Sequence, residues 1–397
     1  MTRPRILVTG ATGRTGAAVV AELLKAGYPV RALVRREDAR AAALRARGVE
    51  IAVADMADAE RVTAALRGAQ RAYWLPPYDS EMLTGAAVFA TAAREARLEA
   101  IVSLSQWLAS PTHPAFLTRQ HWLADRIFAT LPDIAHTLVN PGFFADSPYL
   151  ATIGMAAHLG IMPWLFGDSL TAPPSVDDIA RVAAAALMDP QRHAGCTYRP
   201  TGPALLSGGD MAAILSRVVG RTVRPVPTPL WVFLKAAYLD GSPVALLSCM
   251  ELYVEEHRRG AFAIGAPNDD VARVTDRPAE SFETVARRLA ALPANRRSPS
   301  RTLREFARFL AVPFARVPNT RRYLRGLHII APAAPQYAGE SAVWRRERGI
   351  AETETAATPA TVTSKRRTLD MLESVDLAER RRHRPNQLSG TARSRVP

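Results

Sequence analysis

The chain begins with a short strand, a glycine-rich turn and a helix, and this unit sets the fold class. An apolar run at residues 6–8 leads into glycines at Gly10, Gly13 and Gly16, after which a helix rich in alanine and leucine is predicted. Glycines in such a turn let backbone N–H groups approach a pyrophosphate at the helix N-terminus. An ordinary strand-to-helix turn also contains glycine. A second apolar strand at residues 29–34 completes a βαβ unit and favours a dinucleotide site.

The same alternation of strands and helices continues along the first 140 residues. Apolar runs bounded by turn residues predict further strands at residues 49–54, 71–75, 100–105 and 134–139. Helical patterns lie between them, and strands that alternate with helices form a parallel sheet with right-handed crossovers. The predicted fold class is therefore α/β, a doubly wound parallel Rossmann sheet.

Composition divides the chain into three expected regions. Residues 1–144 form the dinucleotide-binding Rossmann domain, and residues 145–330 form a smaller, mostly helical substrate or lid region interwoven with it. Residues 331–397 have few apolar side chains and clustered arginines, so we expect a low-complexity basic tail that is disordered.

Cysteine use points to a reducing compartment. The two cysteines, Cys196 and Cys249, are far apart in the sequence and do not form a disulfide framework or a thiolate metal site. His193 and Cys196 have a spacing that two metal ligands could share, but no further ligands lie nearby in the sequence. We expect a cytoplasmic protein without a bound metal.

Net charge and hydropathy indicate whether nucleic acid or a membrane is an expected partner. Most of the formal net charge of +14 lies after residue 295, and the remainder of the chain is nearly balanced, so nucleic acid is not the expected partner. The most apolar later stretch, residues 229–250, is interrupted by Lys235 and Asp240 and is too charged for a membrane span. We expect no membrane partner.

Two arginines follow the second strand, where many NAD-binding folds place an acid that binds the ribose 2′-hydroxyl. Arg35 and Arg36 stand there instead, and a guanidinium suits a 2′-phosphate. The sequence therefore favours NADP (as NADPH) over NAD. The alternative is that both arginines are simply solvated at a strand end.

Three further residues mark the carboxyl ends of predicted strands, where ligands bind in such sheets. Asp55 follows the third strand and is a candidate contact to adenine, with an N-cap for the helix after Asp58 as the alternative. Pro76 opens a stiff loop expected to wall the nicotinamide side. Ser103, near the end of the fifth strand, is a candidate cofactor contact or a structural serine.

Several motifs in this order resemble the NmrA-like branch of the atypical short-chain dehydrogenases/reductases. They are VTGATGRTG, VRALVRRE, LTRQHWLADRIF, NPGFF and SVDDIARVAAAALMDP, and the resemblance covers about residues 3–230. It implies that Arg35 binds the 2′-phosphate and that the backbone of four residues forms the phosphate loop: Thr12, Gly13, Arg14 and Thr15. Members reduce quinones and related acceptors with NAD(P)H, or act as nucleotide-sensing regulators.

The sequence departs from typical short-chain dehydrogenases at two catalytic positions. Typical short-chain dehydrogenases use a tyrosine and a lysine four residues later, and the matching positions here are Leu117 and His121. A neutral imidazole at His121 can hydrogen-bond the nicotinamide ribose, and an unperturbed one exchanges protons near neutrality. The alternative is that His121 is only a polar residue near a cleft.

Aromatic residues near the expected nicotinamide edge bear on the acceptor. Trp107, Phe143 and Phe144 offer faces that suit a planar, hydrophobic molecule such as a quinone, although each is equally suited to core packing. The leading hypothesis is an NADPH-dependent reductase of a small acceptor, with solvent or His121 supplying the proton. The rival is a non-catalytic nucleotide sensor with a regulatory protein partner, and a homo-oligomer is compatible with both.

Overall fold

The computed structural model describes residues 3–350. Nine strands form within this range: β1 (Ile6–Thr9), β2 (Val30–Val34), β3 (Glu50–Val53), β4 (Arg71–Trp74), β5 (Ala100–Leu104), β6 (Ala135–Val139), β7 (Ile161–Trp164), β8 (Thr197–Tyr198) and β9 (Arg224–Pro227).

The helices of the same range fall into two groups. Those up to β8 are α1 (Arg14–Lys25), α2 (Ala39–Ala46), α3 (Ala59–Leu66), α4 (Met82–Glu95), α5 (Phe116–Ala129), α6 (Ile153–Leu159), α7 (Val176–Met188) and α8 (Pro190–His193). Those after it are α9 (Gly208–Val219), α10 (Leu230–Leu239), α11 (Val244–Arg258), α12 (Asp270–Thr275), α13 (Phe282–Ala290), α14 (Pro299–Ala311), α15 (Thr320–Gly326) and α16 (Ala342–Arg346).

Seven strands form one parallel sheet in the order β3-β2-β1-β4-β5-β6-β8. The order reverses direction between β1 and β4, which is the arrangement of a doubly wound Rossmann sheet. This confirms the predicted fold class. Because the strands are parallel, their carboxyl ends lie along one edge of the sheet, and the predicted site residues follow these ends.

Strands β1, β2 and β5 are buried on both faces, whereas the edge strand β3 is partly exposed. In β1, Ile6 and Val8 pack with α1 and α7, whereas Leu7 packs on the opposite face with α4 and α5. Burial on both faces explains why the strands are continuous apolar runs without polar alternation.

The region after the sixth strand differs in one respect from the prediction. Residues 161–164 belong to β7, which pairs in parallel with β9, with Ile161 opposite Arg224 and Trp164 opposite Pro227. The sequence of residues 220–229 predicts an extended strand, but residues 163–178, which include Trp164, have the pattern of a loop-rich lid. The pairing joins residues about 60 positions apart, and local sequence does not reveal such a partner.

The chain remains ordered beyond residue 331, where the sequence predicted a disordered tail. Tyr337, Ala338 and Trp344 are buried, and Trp344 lies on α16. The prediction rested on the low apolar content of the whole segment. It overlooked the few aromatic side chains that anchor this segment to the core. The rest of the predicted tail, residues 351–397, lies outside the described residues. Within residues 3–350 no helix combines the length and apolar character needed to cross a membrane.

Candidate nucleotide-binding site

The site is built at the point where the sheet changes direction, between β1 and β4. The hydroxyl of Thr9 at the end of β1 accepts a hydrogen bond from the Leu75 N–H at 2.7 Å and lies 3.2 Å from the Leu75 carbonyl oxygen. This side chain ties the ends of two neighbouring strands together. The loops that follow then diverge, leaving a crevice between them in which doubly wound folds bind nucleotides.

The turn after β1 can only be made with glycine. Gly10 has a φ of +61°, and a Cβ there would meet the Leu75 side chain. A Cβ on Gly16 would run into the Gly10 carbonyl, far inside van der Waals contact. Gly13 donates its N–H to the Gly10 carbonyl at 2.8 Å and closes the turn. Glycine is therefore favoured at Gly10 by its positive φ and required at Gly16 by the close packing of the helix against the turn.

The N-terminus of α1 is available to an anion. Its N-cap is Gly13, which offers no side-chain cap, and its first turn contains no acidic residue. Gly13 and Arg14 are exposed, Thr12 is half-buried and Thr15 is buried. Free backbone N–H groups at a helix start attract phosphate through hydrogen bonds and the helix dipole.

Arg35 is exposed directly after β2 and is not among the arginines held in ion pairs within residues 3–350. Asp79, in the loop after β4, is near enough for Arg35 and Asp55 to act on it: burial raises the pKa of this carboxyl, Arg35 opposes the rise and Asp55 adds to it. These three residues therefore lie at one end of the crevice.

Asp55 itself is exposed after β3, and its carboxylate accepts the Ala57 N–H at 3.0 Å. The N-cap of α3 is Asp58, which accepts the Arg61 N–H. The capping role offered as the alternative for Asp55 thus belongs to Asp58, and one oxygen of Asp55 is used in its own turn.

The same loop after β4 also approaches α5. Pro76 is buried in this loop, and the Tyr78 ring lies 5.6 Å from the His121 ring. His121 is 1% exposed, and neither ring nitrogen has a hydrogen-bond partner in the described structure. Burial lowers the pKa of His121 to about 3, so its imidazole is neutral at pH 7. Two unpaired buried nitrogens fit a missing polar ligand.

The serine predicted as a contact lies inside the sheet. Ser103 is fully buried in β5, and its hydroxyl lies 2.8 Å from His136 Nε2 on β6. We therefore assign Ser103 to the sheet interior. Leu117, at the position matched to the usual tyrosine, is likewise fully buried in the core.

Sequence reasoning missed the pair Ser105 and Asp125. Ser105 follows the end of β5 and donates its hydroxyl to Asp125 Oδ2 at 2.5 Å, with both residues buried. Burial raises the pKa of Asp125 to about 8, so this acid carries a proton at neutral pH. The signal in the sequence was the spacing of His121 and Asp125, which places both on one side of α5.

Asp125 also borders a cavity of about 450 Å³ between α5, β6 and the residues before β8. His136, Asn140 and Arg199 line the same cavity, so water can reach the neighbourhood of the buried acid. The second oxygen of Asp125 has no hydrogen-bond partner among residues 3–350.

The three aromatic residues predicted to contact the acceptor do not share one surface. Trp107 is 2% exposed, and its indole N–H donates to the Ala261 carbonyl at 2.8 Å. Phe143 is half-buried and stacks on Phe262 with ring centroids 4.8 Å apart. Phe144 packs with the cluster on the other face of the sheet. Of the three, Trp107 sits deepest in the core.

Metal ligands do not cluster in the described part of the chain, where no group of three or more His, Cys, Asp or Glu side chains could hold an ion. The glycine turn, the uncapped helix start and the unpaired His121 nitrogens fit a dinucleotide instead.

Comparisons with known proteins identify the family. The profile of the NmrA-like family matches residues 2–122. An NAD(P)H azoreductase from Xenophilus azovorans is 34% identical over 294 residues, which are 72% of this chain and 98% of that protein. The chain belongs to the NmrA-like family.

Solved NmrA-like structures share the fold. The NADPH complex of an Escherichia coli quinone oxidoreductase has a TM-score of 0.61 at 24% identity, over 72% of this chain and 99% of that one. NmrA itself, a negative transcriptional regulator solved with NADP, has a TM-score of 0.61 at 17% identity, over 74% and 99%. At these identities the likeness extends to the NAD(P)-binding Rossmann fold alone. The NmrA-like fold thus contains both reductases and a regulator.

Proposed function

We propose that this protein is an NADPH-dependent reductase that transfers hydride to a small electrophilic acceptor such as a quinone. The observation that carries the proposal is the match to an NAD(P)H azoreductase over 98% of that enzyme's length. The crevice at the carboxyl ends of β1 and β4 supports it, because it provides the glycine turn and the uncapped helix start that a dinucleotide requires.

Arg35 and Arg36 support NADPH rather than NADH as the coenzyme. Both are exposed directly after β2, and the acids that come next are used elsewhere, because Glu37 pairs with Arg45 and Asp38 caps α2. A guanidinium binds a phosphate through charge-assisted hydrogen bonds and offers little to a neutral hydroxyl. Asp55 at the neighbouring strand end is the proposed contact on the adenosine side.

The coenzyme, when bound, supplies the hydride. The backbone N–H groups of residues 12–15 hold its pyrophosphate, and Pro76 and Tyr78 limit where its nicotinamide end can lie. His121 orients that end through hydrogen bonds from its neutral ring to a ribose hydroxyl. Because burial keeps the pKa of His121 near 3, this residue positions and does not deliver a proton at neutral pH.

A quinone becomes a hydroquinone when it gains one hydride and one proton. Ser105 and Asp125 are the proposed source of the proton. With its proton on Oδ2, the Asp125 carboxyl donates to the Ser105 oxygen, 2.5 Å away; the Ser105 hydroxyl then gives its own proton to the acceptor oxygen and takes the Asp125 proton. Water in the adjoining cavity then returns a proton to Asp125. Phe143, half-buried beside this edge, is the proposed aromatic contact to the acceptor.

The purified protein tests the proposal directly. NADPH oxidation is followed at the nicotinamide absorbance with a panel of quinones, azo dyes and unsaturated carbonyls. We expect turnover with at least one class and loss of turnover, with NADPH binding retained, in Ser105→Ala. Absence of turnover across the panel by protein that binds NADPH contradicts the reductase proposal.

One observation favours the second candidate, a nucleotide-sensing regulator. Leu117 and His121 occupy the positions of the usual tyrosine and lysine, so the standard proton-transfer pair is missing. This candidate requires tight NADPH binding without turnover and a protein partner whose affinity changes with the nucleotide. Titration of a captured partner with and without NADPH distinguishes the two.

A further inference from the structure

Helix α14 carries an apolar face that the rest of the described chain does not cover. Leu303, Phe306 and Leu310 are spaced three and four residues apart, so they share one side of the helix. Their exposed fractions are 69%, 48% and 52%. Large apolar side chains exposed together on one helix face indicate an interaction surface.

The exposed apolar surface continues on neighbouring elements. Phe314, just after α14, is 86% exposed, and Trp231 and Leu239 on α10 are each 53% exposed. The two helices are held together because Arg308 pairs with Asp240 and the Lys235 ammonium donates to the Pro313 carbonyl. Lys235 also lies 5.4 Å from the centre of the Trp231 ring. We call α10, α14 and residues 312–316 the basic helical face.

Positive charge predominates on this face. Residues 296–325 contain nine arginines and a single carboxylate, Glu305. On α14, Arg301, Arg304 and Arg308 fall on the side opposite Leu303 and Leu310, because successive residues turn by about 100°. An apolar stripe flanked by arginines, with an aromatic ring beside a lysine, is the pattern of a helix that lies in a membrane interface.

We propose that the basic helical face docks on the surface of a bilayer rich in anionic lipid. Leu303, Phe306, Leu310 and Phe314 enter the boundary between headgroups and acyl chains, and the arginines contact lipid phosphates. An anionic bilayer satisfies both properties of the face at once. A second copy of the chain would bring the same positive charge, and a polynucleotide would leave the apolar side chains in water.

This proposal departs from the sequence prediction that no membrane is a partner. That prediction weighed spanning segments, and residues 229–250 are indeed interrupted by charge. A helix that lies parallel to the surface needs an apolar stripe and flanking cations instead of a long apolar run. The proposal is independent of the proposed reductase activity.

Co-sedimentation of the full chain with lipid vesicles is the test. Vesicles of phosphatidylcholine alone are compared with vesicles containing 30% phosphatidylglycerol at about 0.1 M salt. We expect binding to the anionic vesicles, at least about tenfold weaker binding to the neutral ones, and release as salt is raised. Equal or absent binding to both compositions overturns the proposal.

Two variants separate the apolar from the charged contribution. The triple variant Leu303→Ala, Phe306→Ala, Leu310→Ala should bind anionic vesicles at least about tenfold more weakly, and Arg304→Gln about fivefold more weakly. The matched controls are Leu123→Ala, an apolar side chain 42% exposed on α5, and Arg94→Gln, an exposed arginine of α4. Because every replaced side chain is solvent-exposed, the melting temperature should stay unchanged and report intact folding.

Two other outcomes of these experiments would exclude docking on a bilayer. If light scattering shows a dimer that the triple variant converts to a monomer without any vesicle binding, a second copy covers the face and the bilayer proposal is wrong. If the triple variant binds anionic vesicles as well as the wild type does, the apolar stripe has no part in docking and the proposal is also wrong.

Discussion

The Ser105 hydroxyl donates to Asp125 Oδ2 at 2.5 Å, and both side chains are buried. The two residues belong to different elements, since one follows β5 and the other lies on α5. A buried carboxyl with no cationic partner holds its proton to higher pH than an exposed one. This pair therefore provides a protonated acid at the sheet edge where the coenzyme is proposed to lie.

Asp125→Asn is expected to become progressively more stable relative to the wild type as pH rises from 4 to 8. The pKa of Asp125 is raised from 3.8 to about 8 by burial, so the unfolded chain releases its proton first. The stability that this carboxyl contributes is complete below about pH 4 and is lost as pH rises through 8, at about 1 kcal/mol per pH unit.

Urea unfolding at pH 5, 6 and 7 measures this difference. The exposed Asp168→Asn is the control and should follow the wild type at each pH. Parallel stability curves for Asp125→Asn and the wild type would contradict the raised pKa.

Arg35→Ala should weaken NADPH binding by about tenfold or more and leave NADH binding nearly unchanged. The reason is that the guanidinium would contact only the 2′-phosphate, and a hydrogen bond between charged groups contributes more than one between neutral groups. Calorimetry with both coenzymes measures the effect, with Arg94→Ala as an exposed control. An equal loss for NADPH and NADH would show that Arg35 does not read the 2′-phosphate.

Gly16→Ala should reduce binding of both coenzymes by more than about tenfold, because the added Cβ meets the Gly10 carbonyl and displaces the phosphate turn. Gly326→Ala is the control, since no atom lies within 4 Å of a Cβ there. If Gly16→Ala also lowers the melting temperature, its weaker coenzyme binding could come from partial unfolding. Arg14→Glu then tests the phosphate site separately.

Arg14→Glu places a negative charge on the exposed first turn of α1, where no packing is disturbed. It should weaken both coenzymes by repelling the pyrophosphate. Unchanged affinity in this variant, measured by the same calorimetry, would place the phosphates elsewhere.

Trp344→Ala should lower the free energy of unfolding by about 4 kcal/mol. The side chain is fully buried, and its indole N–H donates to the Trp107 carbonyl at 2.9 Å, so truncation leaves a cavity and removes one of the two donors to that carbonyl, the other being Arg348. Phe314→Ala removes an aromatic side chain that is 86% exposed and should change stability by less than about 0.5 kcal/mol. Similar effects of the two substitutions in urea unfolding would show that residues 336–348 contribute little to the fold.

Local sequence was sufficient for the sheet and for the phosphate turn. Apolar runs and turn residues located the strands of the sheet, and the glycine spacing located the crevice, because both are properties of consecutive residues. The pairing of β7 with β9, the burial of Trp344 and the contact of Ser105 with Asp125 depend on residues far apart in the chain. Ser103 and Trp107 show the same limit of local sequence. The sequence placed each residue near the carboxyl edge of the sheet but could not give the direction of its side chain.

The segment that covers the loop after β5 is made long after the loop itself. Trp344 follows Trp107 by 237 positions, and residues 336–348 also bond to Thr112 and Ser110 in that loop. Synthesis proceeds from the amino end, and early parts of a chain fold as they emerge from the ribosome. The Rossmann sheet can therefore assemble on the nascent chain before the segment that covers the loop after β5 has been synthesised.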